Sequence, residues 1–383
     1  MKVFLVNPGM VDDYIYELSS SLSKDNVSVY LFGSDSYEER EINFFNFNYY
    51  NKFFNVEKIK LPRLKKILKG FLYVFLQLYV LRSILREKPD VLHLQWCRIP
   101  LIDCIFIKLF KRYTTVVFTL HNTTINHGDK SSKNSLLNIG YKRFLQNTSS
   151  IILHTEYSKI KFLTDFPDFL DKVKVVPHGI LSFPKQKKKK FNFNFSSDFV
   201  LLFFGHIERY KGLDVLVEAM SYLKDYDVKL LVAGKANISL EPLKERIGEL
   251  SLEDNIYWHT HFINDEDVEE IYSYCKIVAL PHRHIDQSGI LMSAINFGKP
   301  VVASNIGGFS EIIEDGKQGL LFKPEDPLDL AKKIIKIIED DKILEMNKSI
   351  IHLRNSWKTW EQISLTTLEI YKDSITSCHV QKS

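Results

Sequence analysis

Phe203-Phe204-Gly205-His206-Ile207-Glu208-Arg209-Tyr210-Lys211-Gly212-Leu213-Asp214-Val215-Leu216 is the stretch on which the reading of this chain turns. An apolar run ends in a glycine, cations follow, and helical spacing then begins. The pattern is a buried strand, a turn and a helix start. Glycine lets the backbone close on a ligand, and cations beside a helix N-terminus suit a pyrophosphate. Taken alone, the same stretch also fits an ordinary strand-to-helix loop with solvated Arg and Lys.

On either side, short apolar runs alternate with longer helical patterns, which predicts βα units and parallel sheets. Before this stretch the strand candidates are 2–7, 27–32, 91–95, 116–120, 151–154 and 174–176. From it onward they are 199–204, 229–233, 256–259, 277–280, 301–303 and 319–322, with helical pattern from 328 to about 373. Each run is nearly continuous in apolar residues, as a strand covered on both faces requires. Between the two series, Pro184-Lys185-Gln186-Lys187-Lys188-Lys189-Lys190 is too charged to bury and reads as a linker or exposed loop.

The chain has 383 residues, 45% hydrophobic and 26% charged, with a net charge of +4. That is an ordinary globular composition, long enough for two α/β domains, with too little positive charge to argue for nucleic acid. Cys97, Cys104, Cys275 and Cys378 form no CxxC pair and have no histidine at metal-ligand spacing. They read as free thiols of a reducing compartment. The opening residues read as a buried first strand with too short an apolar run for a signal peptide, so a cytoplasmic protein is expected.

Six basic residues lie between Lys58 and Lys69, followed by the apolar run Phe71–Leu81. Eleven residues are too few to span a bilayer. One reading is a buried helix with a basic lead-in. The other is a membrane-surface element over 58–81, with cations on anionic head groups and aromatics at the interface.

A second polar loop, Pro281-His282-Arg283-His284-Ile285-Asp286-Gln287-Ser288-Gly289-Ile290-Leu291, opens another helix and points free N–H groups out of its start. A Gly307-Gly308 turn with Glu311 follows, then Asp315-Gly316-Lys317-Gln318-Gly319-Leu320-Leu321-Phe322. In the first half stand Lys88-Pro89-Asp90-Val91-Leu92-His93-Leu94-Gln95-Trp96, Thr119-Leu120-His121-Asn122, Ile152-Leu153-His154-Thr155 and Val176-Pro177-His178-Gly179.

In this order the motifs resemble family 4 retaining glycosyltransferases (glycosyl transferases group 1) from Lys2 to about Tyr371. The resemblance implies an α/β protein of the GT-B fold, two facing Rossmann-like domains with an interdomain cleft. It implies an acceptor-side domain over 1–182, a linker over 183–198, a nucleotide-sugar domain over 199–355, and a terminal helix over 356–383 crossing back to the first domain. The implied function is transfer of a sugar, with retention, from a nucleotide-sugar to a saccharide or lipid-linked acceptor in cell-surface polysaccharide or glycan synthesis. It would take place in the cytoplasm or at the inner membrane face. The nucleotide-sugar is a substrate, and neither cofactor nor metal is expected, since no Asp-x-Asp motif suggests a metal-bound nucleotide and cations with helix dipoles can hold a diphosphate.

By the same resemblance Lys211 binds the donor diphosphate, with Gly205 shaping the site. The family's arginine after the first glycine is replaced by His206, so His206 or Arg209 supplies the second cation. Gln287 and the N–H groups of Ser288, Gly289, Ile290 and Leu291 would meet the donor, and Glu311 could reach the nucleotide. Of the family's paired glutamates, the second position holds Ser293 and the first falls at Ile285 or, with a loop one residue shorter, at Asp286. Asp286 and His121 are the catalytic candidates, His121 standing where the family places a histidine beside the donor sugar. Gly9, Asp13 and His127 are acceptor-side candidates, although Asp12 and Asp13 could equally cap the first helix. His93, His154 and His178, at strand ends, read as structural more than catalytic, although any of them could line the cleft. The lost glutamates also admit a GT-B protein of another role, an epimerase or a non-catalytic partner. An oxidoreductase would require a Gly-x-Gly-x-x-Gly that does not follow the first strand, and a two-domain sugar-binding protein would be expected to carry an export signal.

Overall fold

The apolar runs form parallel strands because each has helices to cover both of its faces. The computed structural model describes residues 1–8, 13–34, 47–53, 62–123, 136–184, 189–197 and 199–380, with backbone alone for 13, 34, 47–53, 62–67, 69, 136–138, 379 and 380. The chain divides into two units, Met1–Gly179 with Lys358–Ser383, and Ile180–Trp357.

Unit 1 runs β1 (Lys2–Val6), α1 (Asp13–Lys24), β2 (Ser28–Ser34), β3 (Phe47–Phe53), α2 (Pro62–Glu87), β4 (Val91–Leu94), α3 (Pro100–Phe110), β5 (Thr115–Thr119), α4 (Leu136–Gln146), β6 (Ser150–Leu153), α5 (Glu156–Asp165) and β7 (Val173–Val175). Its sheet has the order β3-β2-β1-β4-β5-β6-β7, all parallel. Alternation along β1 sorts the two cores. Phe4 and Val6 pack with Leu76, Val80, Ile84, Ile107, Phe144 and Phe162 of the α2–α5 layer. Val3 and Leu5 pack with Ile15, Leu18 and Leu22 of α1 and with Ile363 and Tyr371 from the end of the chain.

Unit 2 runs β8 (Phe199–Phe204), α6 (Leu213–Ser221), β9 (Val228–Ala233), α7 (Glu241–Glu249), β10 (Ile256–His259), α8 (Val268–Ser273), β11 (Ile277–Leu280), α9 (Gly289–Asn296), β12 (Val301–Ser304), α10 (Gly307–Ile312), β13 (Gly319–Phe322), α11 (Pro327–Glu339) and α12 (Ile343–Ser356). Its sheet, also parallel, has the order β10-β9-β8-β11-β12-β13. The last helix, α13 (Trp360–Val380), belongs to unit 1. There Ser364 bonds Asp25, and Ser374 bonds Ser150. In each sheet the strand order reverses at one place, β1/β4 and β8/β11. Open parallel sheets bind ligands outside the carboxyl ends of such a pair.

Two expectations change. The stretch 183–198 is not a free linker: its described part belongs to unit 2. Phe191, Phe193 and Phe195 stack at 5.7–5.8 Å centroid spacings. They meet His259, Tyr274 and Tyr257, while Glu270 accepts from the N–H groups of Lys190 and Phe191. Period-two phenylalanine outweighs the preceding lysines. The apolar run after Lys69 is neither fully buried nor fully exposed: in α2, Leu76, Val80 and Ile84 are buried, whereas Phe71, Phe75 and Leu78 are 61%, 64% and 47% exposed.

Candidate functional site

In unit 2 the site is built on the β8/β11 reversal. β8 ends at Gly205, whose N–H continues the ladder to the Ala233 carbonyl at 2.9 Å. A single 3-10 turn, Arg209–Lys211, brings the chain to Gly212 at φ +70°. A Cβ on Gly212 would lie 1.9 Å from the Pro281 carbonyl oxygen, so only glycine allows the loops after β8 and β11 to touch. Arg283 locks that contact. Its guanidinium bonds both carboxylate oxygens of Asp214 at 2.9 and 2.7 Å, the Arg209 carbonyl at 2.7 Å and Glu325 at 2.9 Å.

This scaffold turns Lys211 inward. The residue is 7% exposed, and its Nζ lies 3.2 Å from where a Gly205 Cβ would stand. It has no ion-pair or hydrogen-bond partner among the described residues. Burial pushes its pKa down to about 8, with nearby Glu208 opposing the shift. His206 and Arg209 have exposed side chains. Beside Lys211, His282 is 2% exposed and its Nδ1 lacks a hydrogen-bond partner. Burial, and then the Lys211 charge, push its pKa down to about 3, so it stands as a neutral ring edge-on to Phe309 at 5.2 Å. Its site position was not legible in the sequence.

Ser288 caps α9, its Oγ accepting from the Leu291 N–H at 3.2 Å. This corrects one expectation: the Leu291 N–H is engaged, and the N–H groups left for a ligand are those of Ser288, Gly289 and Ile290. Gln287 is half-buried, Asp286 buried, and Glu311 exposed on α10. Ser293, where a glutamate was expected, turns back to the Gly289 carbonyl at 3.0 Å.

In unit 1 the carboxyl ends of β4 to β7 place histidines side by side. His154 Nδ1 lies 2.9 Å from the Val176 carbonyl, which only accepts, so Nδ1 carries the proton and Nε2 is bare. His121 Nδ1, 3.2 Å away, therefore donates to it. The bare His121 Nε2 faces the Gln95 amide, whose Oε1 is 3.1 Å away and whose Nε2 has no hydrogen-bond partner. Turning that amide over satisfies both groups. Burial pushes His93, His121, His154 and His178 down to about 3, so all four are neutral at ordinary pH. His93 is saturated by Tyr371 at 2.6 Å and Thr119 at 2.7 Å. Tyr14 packs its ring against His121, His154, His178 and Trp360.

Gly9 and His127 lie outside the described residues, and Asp13 opens α1 with its side chain undescribed. Among the described residues no group of three or more His, Cys, Asp or Glu is placed to hold a metal ion, and the four cysteines are free thiols.

Two doubly wound parallel sheets, one with a buried cation beside its reversal point, have the architecture of the GT-B fold. Residues 11–180 match the family described as Glycosyltransferase Family 4 and residues 184–352 that described as Glycosyl transferases group 1, and the chain belongs to this family. Two uncharacterized glycosyltransferases of Methanocaldococcus jannaschii are similar to it. One is 26% identical over 216 residues, 53% of this chain and 54% of that one; the other is 23% identical over 356 residues, 91% and 90%. The chain thus spans about half the length of the first relative. Among solved structures, sucrose-phosphate synthase from Thermosynechococcus elongatus superposes with a TM-score of 0.76 at 17% identity, over 98% of this chain and 100% of that one. Anabaena Alr3699/HepE in complex with UDP-glucose gives 0.71 at 17%, over 97% and 100%.

Proposed function

We propose that the chain transfers a hexose-like sugar, with retention, from a nucleotide-sugar to a saccharide or lipid-linked acceptor, in cell-surface glycan synthesis at the cytoplasmic side of a membrane. The observation that carries this reading is Lys211, a buried cation that makes no ion pair among the described residues, set against Gly205 next to the free N–H groups at the start of α9. An uncompensated buried cation is costly to the folded protein unless an anion joins it. HepE, similar in fold, was solved with UDP-glucose, which supports a nucleotide-sugar as that anion.

In the proposed reaction Lys211 and the N–H groups of Ser288, Gly289 and Ile290 hold the diphosphate and take up its charge as the glycosidic bond breaks, without a metal. The leaving phosphate accepts the proton of the incoming hydroxyl on the same face of the sugar. His121, neutral and with its ring nitrogens engaged by His154 and Gln95, supplies no cation. Thermal-shift measurement against a panel of nucleoside diphosphates and nucleotide-sugars tests the donor side. The true donor, at 100 times its Kd, is expected to add about 2.7 kcal/mol of stability, and no stabilisation by any of them would overturn the reading. Ser293 in place of a glutamate favours one rival, a GT-B protein that binds donor without transferring; product analysis with purified protein separates the two.

The membrane side rests on α2. No described helix is long and apolar enough to cross a bilayer. Phe71, Phe75 and Leu78 nonetheless recur at helical spacing on its exposed face. Residues 58–86 hold Lys58, Lys60, Arg63, Lys65, Lys66, Lys69, Arg82 and Arg86 with no acidic residue. Such a face binds anionic lipid by apolar insertion and charge together. The double variant Phe71→Ser/Phe75→Ser is expected to reduce co-sedimentation with phosphatidylglycerol vesicles by about tenfold or more. Unchanged partitioning would count against the surface.

A further inference from the structure

The loop between β4 and α3 carries two side chains that the donor chemistry does not use. Trp96 stacks on His121, with ring centroids 5.1 Å apart and planes 29° from parallel. The Arg98 guanidinium lies 5.2 Å over the Trp96 ring. Histidine, indole and guanidinium thus form a ladder at the carboxyl ends of β5 and β4, and β4 flanks the order reversal of the first sheet. Arg98 has no carboxylate partner among the described residues.

The loop is fixed from beneath. Asp103, 4% exposed, accepts from the Ile99 N–H at 2.9 Å, the Tyr73 hydroxyl at 2.6 Å and the Gln77 amide at 3.2 Å. The Cys97 thiol and the Arg98 backbone add to this set. A buried carboxylate met by so many donors holds one loop conformation. Tyr73 and Gln77 are α2 residues, so the helix that bears Phe71 and Phe75 also sets the position of the loop.

With its faces taken by His121 and Arg98, the indole offers a ligand its edge and N–H, and a guanidinium suits a phosphate by two parallel N–H bonds. We propose that Trp96 and Arg98 form an acceptor subsite for a saccharide bearing a phosphate or diphosphate, a sugar hydroxyl at the Trp96 indole N–H and the phosphate on Arg98. This rests on the reading that unit 1 takes the acceptor. The phosphate can belong to a free sugar phosphate or to a lipid ester, and the chemistry at Arg98 is the same.

The test follows the Trp96 indole N–H by NMR, assigned by its loss in Trp96→Phe, during titration with glucose 1-phosphate, N-acetylglucosamine 1-phosphate and methyl glucoside. At least one sugar phosphate is expected to shift this resonance and to bind about tenfold or more tighter than the uncharged glycoside. Arg98→Gln is expected to weaken that sugar phosphate about ten- to hundred-fold without changing the glycoside, and Arg98→Lys to recover part of the loss. The same sugar phosphate as a short isoprenyl ester in micelles identifies the source. Tighter binding of the ester supports a lipid-linked acceptor, and equal binding supports a soluble one. Failure of both sugar phosphates to shift Trp96, or retention of affinity within about twofold in Arg98→Gln, overturns the subsite. UDP binding, measured on the same proteins, is expected to stay unchanged; its absence in the wild type would sink the donor reading and leave the subsite result standing.

Discussion

Lys211→Ala is expected to lower donor-dependent turnover by about 100- to 1,000-fold, the usual loss when one preorganised group facing a developing anion is removed. The magnitude follows from placement. The cation is buried and pairs with no carboxylate among the described residues, with only Glu208 acting on it from nearby, so its charge is open to the ligand. Initial rates with the donor found by thermal shift, and UDP affinity by calorimetry, measure the effect; unchanged values for both would remove Lys211 from the site. The same residue sets a pH dependence. In the free protein its pKa is lowered to about 8, so the cation is present below that pH and lost above it. Diphosphate affinity should therefore fall as pH rises through about 8, and binding near that pH should take up a proton. Lys211→Arg, which does not titrate in this range, should flatten the profile.

Gly212→Ala should be among the most damaging single methyl additions in unit 2. The residue sits at φ +70°, and the added carbon would lie 1.9 Å from the Pro281 carbonyl oxygen, a backbone atom that no rotamer change can move. The two loops must part, which breaks the Arg283 bond to the Arg209 carbonyl and displaces Lys211. Strain and lost clamp together are expected to destabilise unit 2 by about 3 kcal/mol or more. Gly316→Ala is the control: φ is +88°, but nothing lies within 4 Å of the added carbon. It should cost only about 1–2 kcal/mol of backbone strain. Hydrogen exchange in β8 and β11 reads the difference, and equal protection in the two variants would show that the loop contact is unimportant.

Most strands were legible because a strand buried on both faces must be apolar throughout, as Leu201, Leu202 and Phe203 or Val301 and Val302 are. β3 was not: its Phe47-Asn48-Tyr49-Tyr50-Asn51 carries asparagines that strands disfavour, and it pairs on one side only, at the sheet edge. The loop after β8, which we propose holds the donor, could be singled out because glycines, cations and a helix start fall within one short stretch. The histidine cluster of unit 1 could not be, since Gln95, His121, His154 and Val176 converge from separate strands and loops and their proton order depends on a backbone carbonyl. Trp96, Arg98 and Asp103 lie close together in sequence, yet no local pattern announces that Tyr73 and Gln77 reach across from α2 to complete the network.

α13 returns to a unit whose other residues lie before Ile180. Unit 1 is therefore one folded body made from the two ends of the described chain, with unit 2 as a continuous insert. On a ribosome the sheet of unit 1 is made first, but Tyr371, which closes over His93, and Trp360, which covers Tyr14, emerge only after all of unit 2. Domains usually complete in the order of synthesis. Here the order inverts, and the second-made domain is the first that can finish. Until Trp360–Val380 arrives, the Val3–Leu5 face of the first sheet is covered by α1 alone, so nascent chains have a late window in which a chaperone has an apolar surface to hold.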